Sequence, residues 1–211
     1  MHIPVMNNQL TKLFRKKEIF SAEDFFRYDN RKKIVVYIPA DSVERLTLEM
    51  SKAGAGQIGN YEMCSFRISG TGTFIPNKKA RPFNGKKNSL NYAEEIRLEM
   101  ECPVNQINKV VTALLKNHPY DEAVYEIYDF MKREKKPIGL TIYLKSPLSF
   151  KQLFKRINRS DIQNEFSSVH KISRLALINT EPDDTIIDSA KFINCNCIIS
   201  LHKKNFKLII L

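Results

Sequence analysis

With 211 residues, 43% of them apolar, the chain is long enough for one large domain or two small ones, and it has no run of about 18 apolar residues that would span a membrane. A net charge of +11 raises nucleic acid as a partner, but the charge is uneven: seven basic against four acidic residues in 1–32, twelve against twelve in 33–130, fifteen against seven in 131–211. The best-patterned part is therefore neutral, and the basic clusters lack the interleaved aromatics of a base-stacking surface, so no nucleic acid partner is expected.

Residues 1–9 lack a basic-then-apolar leader pattern, which points to a cytoplasmic protein. Residues 1–32 mix Lys12, Arg15, Lys16 and Lys17 with Phe14, Phe20, Phe25 and Phe26, and read as an N-terminal docking arm. Within the arm, Ser21-Ala22-Glu23-Asp24 predicts the start of a short helix. Residues 34–38 form a continuous apolar run stopped by Pro39, the pattern of a central strand. Asp41-x-x-Glu44 has the form of a capping box. Val43, Leu46, Met50 and Ala53 follow at helical spacing, with Gly54 where a C-cap glycine belongs.

Six of the seven glycines fall between Gly54 and Gly85, interleaved with Phe66, Ile68, Phe74 and Ile75. That marks a special backbone site rather than a flexible linker. The Gly54, Gly56, Gly59 string lacks the ending of a P-loop, and although its glycines are spaced GxGxxG it follows a helix and leads into a strand, the reverse of the strand-to-helix setting of a dinucleotide fingerprint. Two readings stand: tight strand entry with subunit packing, or a backbone cradle for an anion. The stretch 56–75 supplies a second strand, and 76–91, with Pro76, Pro82, Asn84-Gly85 and five basic residues, a loop.

Ile96, Leu98, Met100 and Cys102 alternate with Arg97, Glu99 and Glu101, a half-buried strand ended by Pro103. Ile107, Val110, Val111 and Leu114 mark a second amphipathic helix that stops at His118-Pro119, because proline pushes its predecessor out of helical space. A strand rich in tyrosine and β-branched residues fills 124–130. The order β-α-β-β-α-β over 33–130 is the split βαβ, ferredoxin-like arrangement, an α+β fold with helices on one sheet face and the other face free.

The basic run Lys132 to Lys136 reads as a linker, and 138–211 as a small βαβ segment. In that segment Ser149-x-x-Gln152 predicts a capping box, 172–178 a strand, Asp183 or Asp184 a helix cap, and 195–201 a further strand. The apolar end Phe206 to Leu211 calls for burial or pairing in a sheet. Cys64, Cys102, Cys195 and Cys197 form no CxxC pair and read as reduced, buried thiols; Cys195 and Cys197 would share a strand face, a faint pointer to metal beside the core reading.

Among titratable groups, His118 stands beside Tyr120, Asp121 and Glu122. It reads either as a ligand for a metal or anion, or as a favourable helix terminator at the negative dipole end. His2, His170 and His202 have no partners at ligand spacing, and no nucleophile with an evident base is seen.

The residues Lys33-Ile34-Val35-Val36-Tyr37-Ile38-Pro39, the 53–61 glycine string, Cys64-Ser65-Phe66, Gly70-Thr71-Gly72-Thr73-Phe74-Ile75-Pro76, Arg81-Pro82-Phe83-Asn84-Gly85 and His118-Pro119-Tyr120-Asp121-Glu122 together carry a resemblance. They look like the PII-like, CutA-like domain inserted in YqfO-type proteins of the Nif-three-like family, a family also described as GTP cyclohydrolase type I, type 2. His118-Pro119-Tyr120 is similar to the CutA motif itself. The resemblance implies a homo-oligomer, trimer or hexamer, with small-molecule clefts between subunits. It places Gly59, Asn60, Tyr61, Thr71, Gly72, His118, Tyr120 and Asp121 at such a cleft.

Residues from Gly139 onward resemble the second half of the family's dinuclear-metal domain, with departures. Asn179-Thr180-Glu181-Pro182 replaces a glycine-rich turn, and Ser200-Leu201-His202 stands where Thr-Gly-Glu is expected. The first half with its paired histidines is not in this sequence, and the closing metal ligands would fall beyond Leu211. The dinuclear site is therefore not carried over, and no metal, cofactor or catalytic residue is assigned. The expected function is a non-catalytic PII-like binding, regulatory or assembly protein. The alternative is a metal-dependent hydrolase of the GTP cyclohydrolase kind.

Overall fold

The structure, a computed structural model, describes residues 13–157, 171–202 and 207–211. Expectations resting on 1–9, Lys12, His2, His170 and Phe206 lie outside the described residues. The chain divides into two compact units: Asn30–Met131, and the described residues on either side of it. Strands β1 (Ile19–Pro39) and β4 (Tyr125–Leu148) each run through both.

In the Asn30–Met131 unit, β1 is followed by helix α1 (Val43–Lys52), strands β2 (Phe66–Phe74) and β3 (Asn91–Pro103), helix α2 (Ile107–Asn117), then β4. The strand order is β2-β3-β1-β4, with β3 antiparallel to both β1 and β2, the ferredoxin-like arrangement. Period-two alternation decides the faces. Ile34, Val36 and Ile38 of β1 and Leu98, Met100 and Cys102 of β3 point to one side and meet Val43, Leu46 and Met50 of α1 and Val110 and Leu114 of α2. Burying each such side chain contributes about 1.5–3 kcal/mol. The register opposes Phe66 to Glu99 and Ile68 to Arg97 on the other face, where both apolar side chains are exposed.

Local chemistry sets the element ends. Gly54, at φ 110°, stops α1 as a C-cap glycine should. Gly56, at φ 73°, lets the chain lie against β3: a Cβ there would fall 2.7 Å from Met100 Cε and 2.9 Å from the Cys64 backbone nitrogen. The capping box expected at Asp41 and Glu44 does not form. Residues Ala40–Ser42 make a 3-10 turn, Asp41 accepts from the Ser42 hydroxyl, and Arg67 of β2 claims the Glu44 carboxylate.

In the flanking unit, helix α3 (Phe150–Ile157), strand β5 (Ile172–Ile178), helix α4 (Asp184–Phe192), strand β6 (Cys197–Ser200) and strand β7 (Lys207–Ile210) follow β4. Strands β5 and β6 are parallel, joined through α4 as a βαβ unit, and β7 pairs antiparallel with β6, so the apolar C-terminus is paired as its composition demands. Strand β5 is buried on both faces: Leu175 and Leu177 join Phe14, Ile142 and Leu153, while Ala176 and Ile178 join Phe25, Ile186 and Ala190. The Ser149–Gln152 box forms reciprocally, at 2.8 and 3.2 Å, and Asp183 caps α4 by accepting from the Ile186 N–H at 2.9 Å.

Three expectations are corrected here. Residues 21–24 begin no helix; they lie in β1, with Ile19, Ala22 and Phe25 buried, so 13–29 supply core rather than an arm. Lys132 to Lys136 form no linker but part of β4. Cross-strand partners hold this polar stretch extended: Arg27 pairs with Glu134, and the Arg133 guanidinium lies 4.1 Å from the centre of the Phe26 ring. Cys195 and Cys197 do not share a face, because β6 starts at Cys197 and the two thiols enter different core clusters.

Candidate functional site

The loop between β2 and β3 is held by its own amides. Asn77 Oδ1 accepts from the Lys79 and Ala80 N–H groups at 2.8 and 3.1 Å, an Asx-type turn. Asn91 accepts from the Lys86 N–H at 2.7 Å and donates to the Lys86 and Ser89 carbonyls. The Arg81 N–H donates to Asp121 Oδ2 at 3.2 Å and joins this loop to the segment after α2.

Between loop and segment lies a cavity of about 430 Å³, walled by Phe74, Lys79, Phe83, Tyr120 and Glu122 among others. Tyr120 is its fixed wall. The Tyr120 hydroxyl donates to Glu95 Oε1 at 2.8 Å, and its ring meets Phe83 with centroids 5.8 Å apart. Glycine at position 72 makes room for this carboxylate, since a Cβ there would fall 2.5 Å from Glu95 Oε2. Burial, and then the Glu95 hydrogen bond, push the Tyr120 phenol well above its ordinary range, so it stays a neutral donor.

His118 stands behind Tyr120, edge-on at 5.1 Å. Its Nδ1 accepts from the Tyr120 N–H at 3.1 Å, which leaves the proton on Nε2, donated to the Tyr37 carbonyl at 2.9 Å. Burial holds the imidazole below its usual value and therefore neutral. With both nitrogens engaged, it orients Tyr120 and offers no lone pair to a metal or anion.

The residues singled out from sequence separate into three places. Gly72, His118, Tyr120 and Asp121 come together around Glu95 and the Arg81 amide, and Tyr120 and Asp121 line the cavity. Thr71 faces the other side of β2, where its hydroxyl donates to Glu94 at 3.0 Å. Gly59, Asn60 and Tyr61 sit on a separate exposed turn closed by the Ile58–Tyr61 bridge. Sequence reasoning does not single out Glu95, Phe74, Phe83 or Lys79 as site residues, although Phe74 lies in the Gly70 to Pro76 motif and Phe83 in the Arg81 to Gly85 motif. Among the described residues no group of three or more His, Cys, Asp or Glu is arranged to hold a metal ion, and no helix is long and apolar enough to cross a membrane.

No family model matches the chain. A GTP cyclohydrolase 1 type 2 homolog of Halalkalibacterium halodurans is 36% identical over 129 residues, 61% of this chain and 35% of that protein. The protein of the same name from Bacillus subtilis is 36% identical over 125 residues, 59% of this chain and 34% of its own length. The chain thus spans about a third of the curated relatives it matches. Among solved structures, a Bacillus cereus protein related to NIF3 aligns over 90% of this chain and 52% of its own, with a TM-score of 0.46 and 24% identity.

Proposed function

The chain belongs to the Nif-three-like family of GTP cyclohydrolase 1 type 2 homologs, and on that footing we propose that its Asn30–Met131 unit is a non-catalytic, PII-like module that binds a small molecule and regulates or assembles its partners. One observation carries the reading: a cavity of about 430 Å³, within the size range of small-molecule sites, beside a tyrosine locked in place by Glu95 and His118. Such a wall recognises a ligand without reacting with it, because its phenol is held neutral and its histidine is spent on backbone groups. Four free cysteines, three of them buried, agree with the reducing cytoplasm.

A second reading, assembly, has its own support. Strand β2 is the edge of its unit, nine residues long, and its own Phe66 and Ile68 are exposed. Long apolar edges need covering, and a second copy of this chain is the proposed cover, in the homo-oligomer expected from the family. The metal-dependent hydrolase alternative rests on the relatives' name.

Thermal-shift measurements with free amino acids, nucleotides and divalent metals, on the chain and on Phe83→Ala, test the reading. A ligand that raises the melting temperature of the parent and not of the variant supports it. Turnover of GTP by pure protein, or no stabilisation by any compound, overturns it.

A further inference from the structure

The cavity lining carries charges of both signs. Lys79 and Glu122 border it, and among the described residues neither the Lys79 ammonium nor the Glu122 carboxylate has a hydrogen bond or ion pair. Asp121 differs: both its oxygens accept from backbone N–H groups, of Arg81 and Glu122. Its charge is therefore committed to holding the wall. Phe74, Phe83 and Tyr120 lead the rest of the lining, which is mainly apolar, with the amides of Asn77 and Asn84 as its further polar groups. Phe83 is 54% exposed although its ring faces Tyr120 at 5.8 Å, an apolar surface left open to a guest.

From this we infer that the ligand is a zwitterion with an apolar body: a free amino acid with an aromatic or bulky aliphatic side chain. The side chain packs on Phe74, Phe83 and Tyr120, the carboxylate meets Lys79, and the ammonium meets Glu122, with the Asp121 charge adding to the field. A nucleotide can pack on the rings and set a phosphate on Lys79, but it brings no cation to Glu122 and adds negative charge beside Asp121. A simple amine or a simple acid satisfies one free charge and leaves the other opposed only by water. The inference rests on the binding reading above and sharpens it.

The test is a titration of the full chain, followed by amide chemical shifts, with L-phenylalanine, phenethylamine (ammonium alone), 3-phenylpropanoate (carboxylate alone) and GTP. L-phenylalanine is expected to bind more tightly than either single-charge analogue. Lys79→Met is expected to weaken L-phenylalanine about two- to fivefold, the range of a solvent-exposed ion pair, and to leave phenethylamine unchanged; Glu122→Gln does the reverse, sparing 3-phenylpropanoate. Equal binding of the amino acid and its analogues, or indifference to Lys79→Met, overturns the inference. If GTP perturbs the cavity amides and L-phenylalanine does not, the zwitterion falls and the binding module stands. If no compound perturbs them, both fall.

Discussion

Replacing His118 by alanine strands two half-buried backbone groups at once. In the parent, Nε2–H donates to the Tyr37 carbonyl at 2.9 Å and Nδ1 accepts from the Tyr120 N–H at 3.1 Å, on a residue 8% exposed. A buried polar group left unpaired costs about 1–3 kcal/mol, so two partly re-solvated groups cost about 2–4 kcal/mol. For a chain of 211 residues, 1 kcal/mol corresponds to about 2–4 °C, which places the melting temperature of His118→Ala about 4–16 °C below the parent. The difference also depends on pH. Burial lowers the folded pKa of His118, so between that value and about 6.5 the unfolded chain binds the extra proton, and stability from this group is lost as pH falls. The gap between parent and variant therefore narrows from pH 7.5 to pH 5. Urea unfolding of the full chain, followed by circular dichroism at both pH values, measures it. A variant within about 0.5 kcal/mol of the parent at pH 7.5, a value typical of uninvolved surface positions, or a gap that widens in acid, refutes the structural role given to this histidine.

Tyr120→Phe removes a hydrogen bond to a carboxylate and is expected to cost about 1–2 kcal/mol in urea unfolding. Because the folded phenol pKa is raised, its stabilisation is present below about pH 10 and is lost as pH rises beyond it, so parent and variant converge in strong base. Gly56→Ala meets both a positive φ and the Met100 side chain, and is expected to lose about 1–3 kcal/mol of thermal stability; an unchanged melting temperature would show that the 56–64 turn does not pack on β3. Asp183→Ala removes the α4 cap at a cost of about 0.5–2 kcal/mol, with Asp183→Asn recovering most of it, and equal losses in both variants would point to the Arg27 ion pair instead.

What could be read in the residues was whatever a short window decides. Residues 34–38, the alternation from Ile96 to Cys102, the stop at His118-Pro119, the run 172–178 and the caps at Ser149 and Asp183 are local signals, and each element stands where its signal lies. What escaped depends on distant partners. The polar stretch 132–136 carries no apolar period, and its strand becomes intelligible only with Arg27 and Phe26 opposite. The capping box at Asp41 fails because Arg67, 23 residues from Glu44, takes the carboxylate. Glycine 72, His118 and Tyr120 could be named from motifs, yet the residue joining two of them is Glu95, whose place among neighbouring charges gives no sign of its bond to Tyr120. The cavity itself needs the 76–91 loop laid against Asp121, a long-range contact that no periodicity encodes.

The central claim is that the wall of Phe74, Phe83 and Tyr120 receives a ligand. Amide chemical-shift mapping of the isotope-labelled full chain against amino acids and nucleotides tests it most directly. The account predicts saturable perturbations confined to residues 74–84, 95 and 118–122, abolished by Phe83→Ala. Perturbations centred on the 56–64 turn or on α4, or none with any compound, would contradict it.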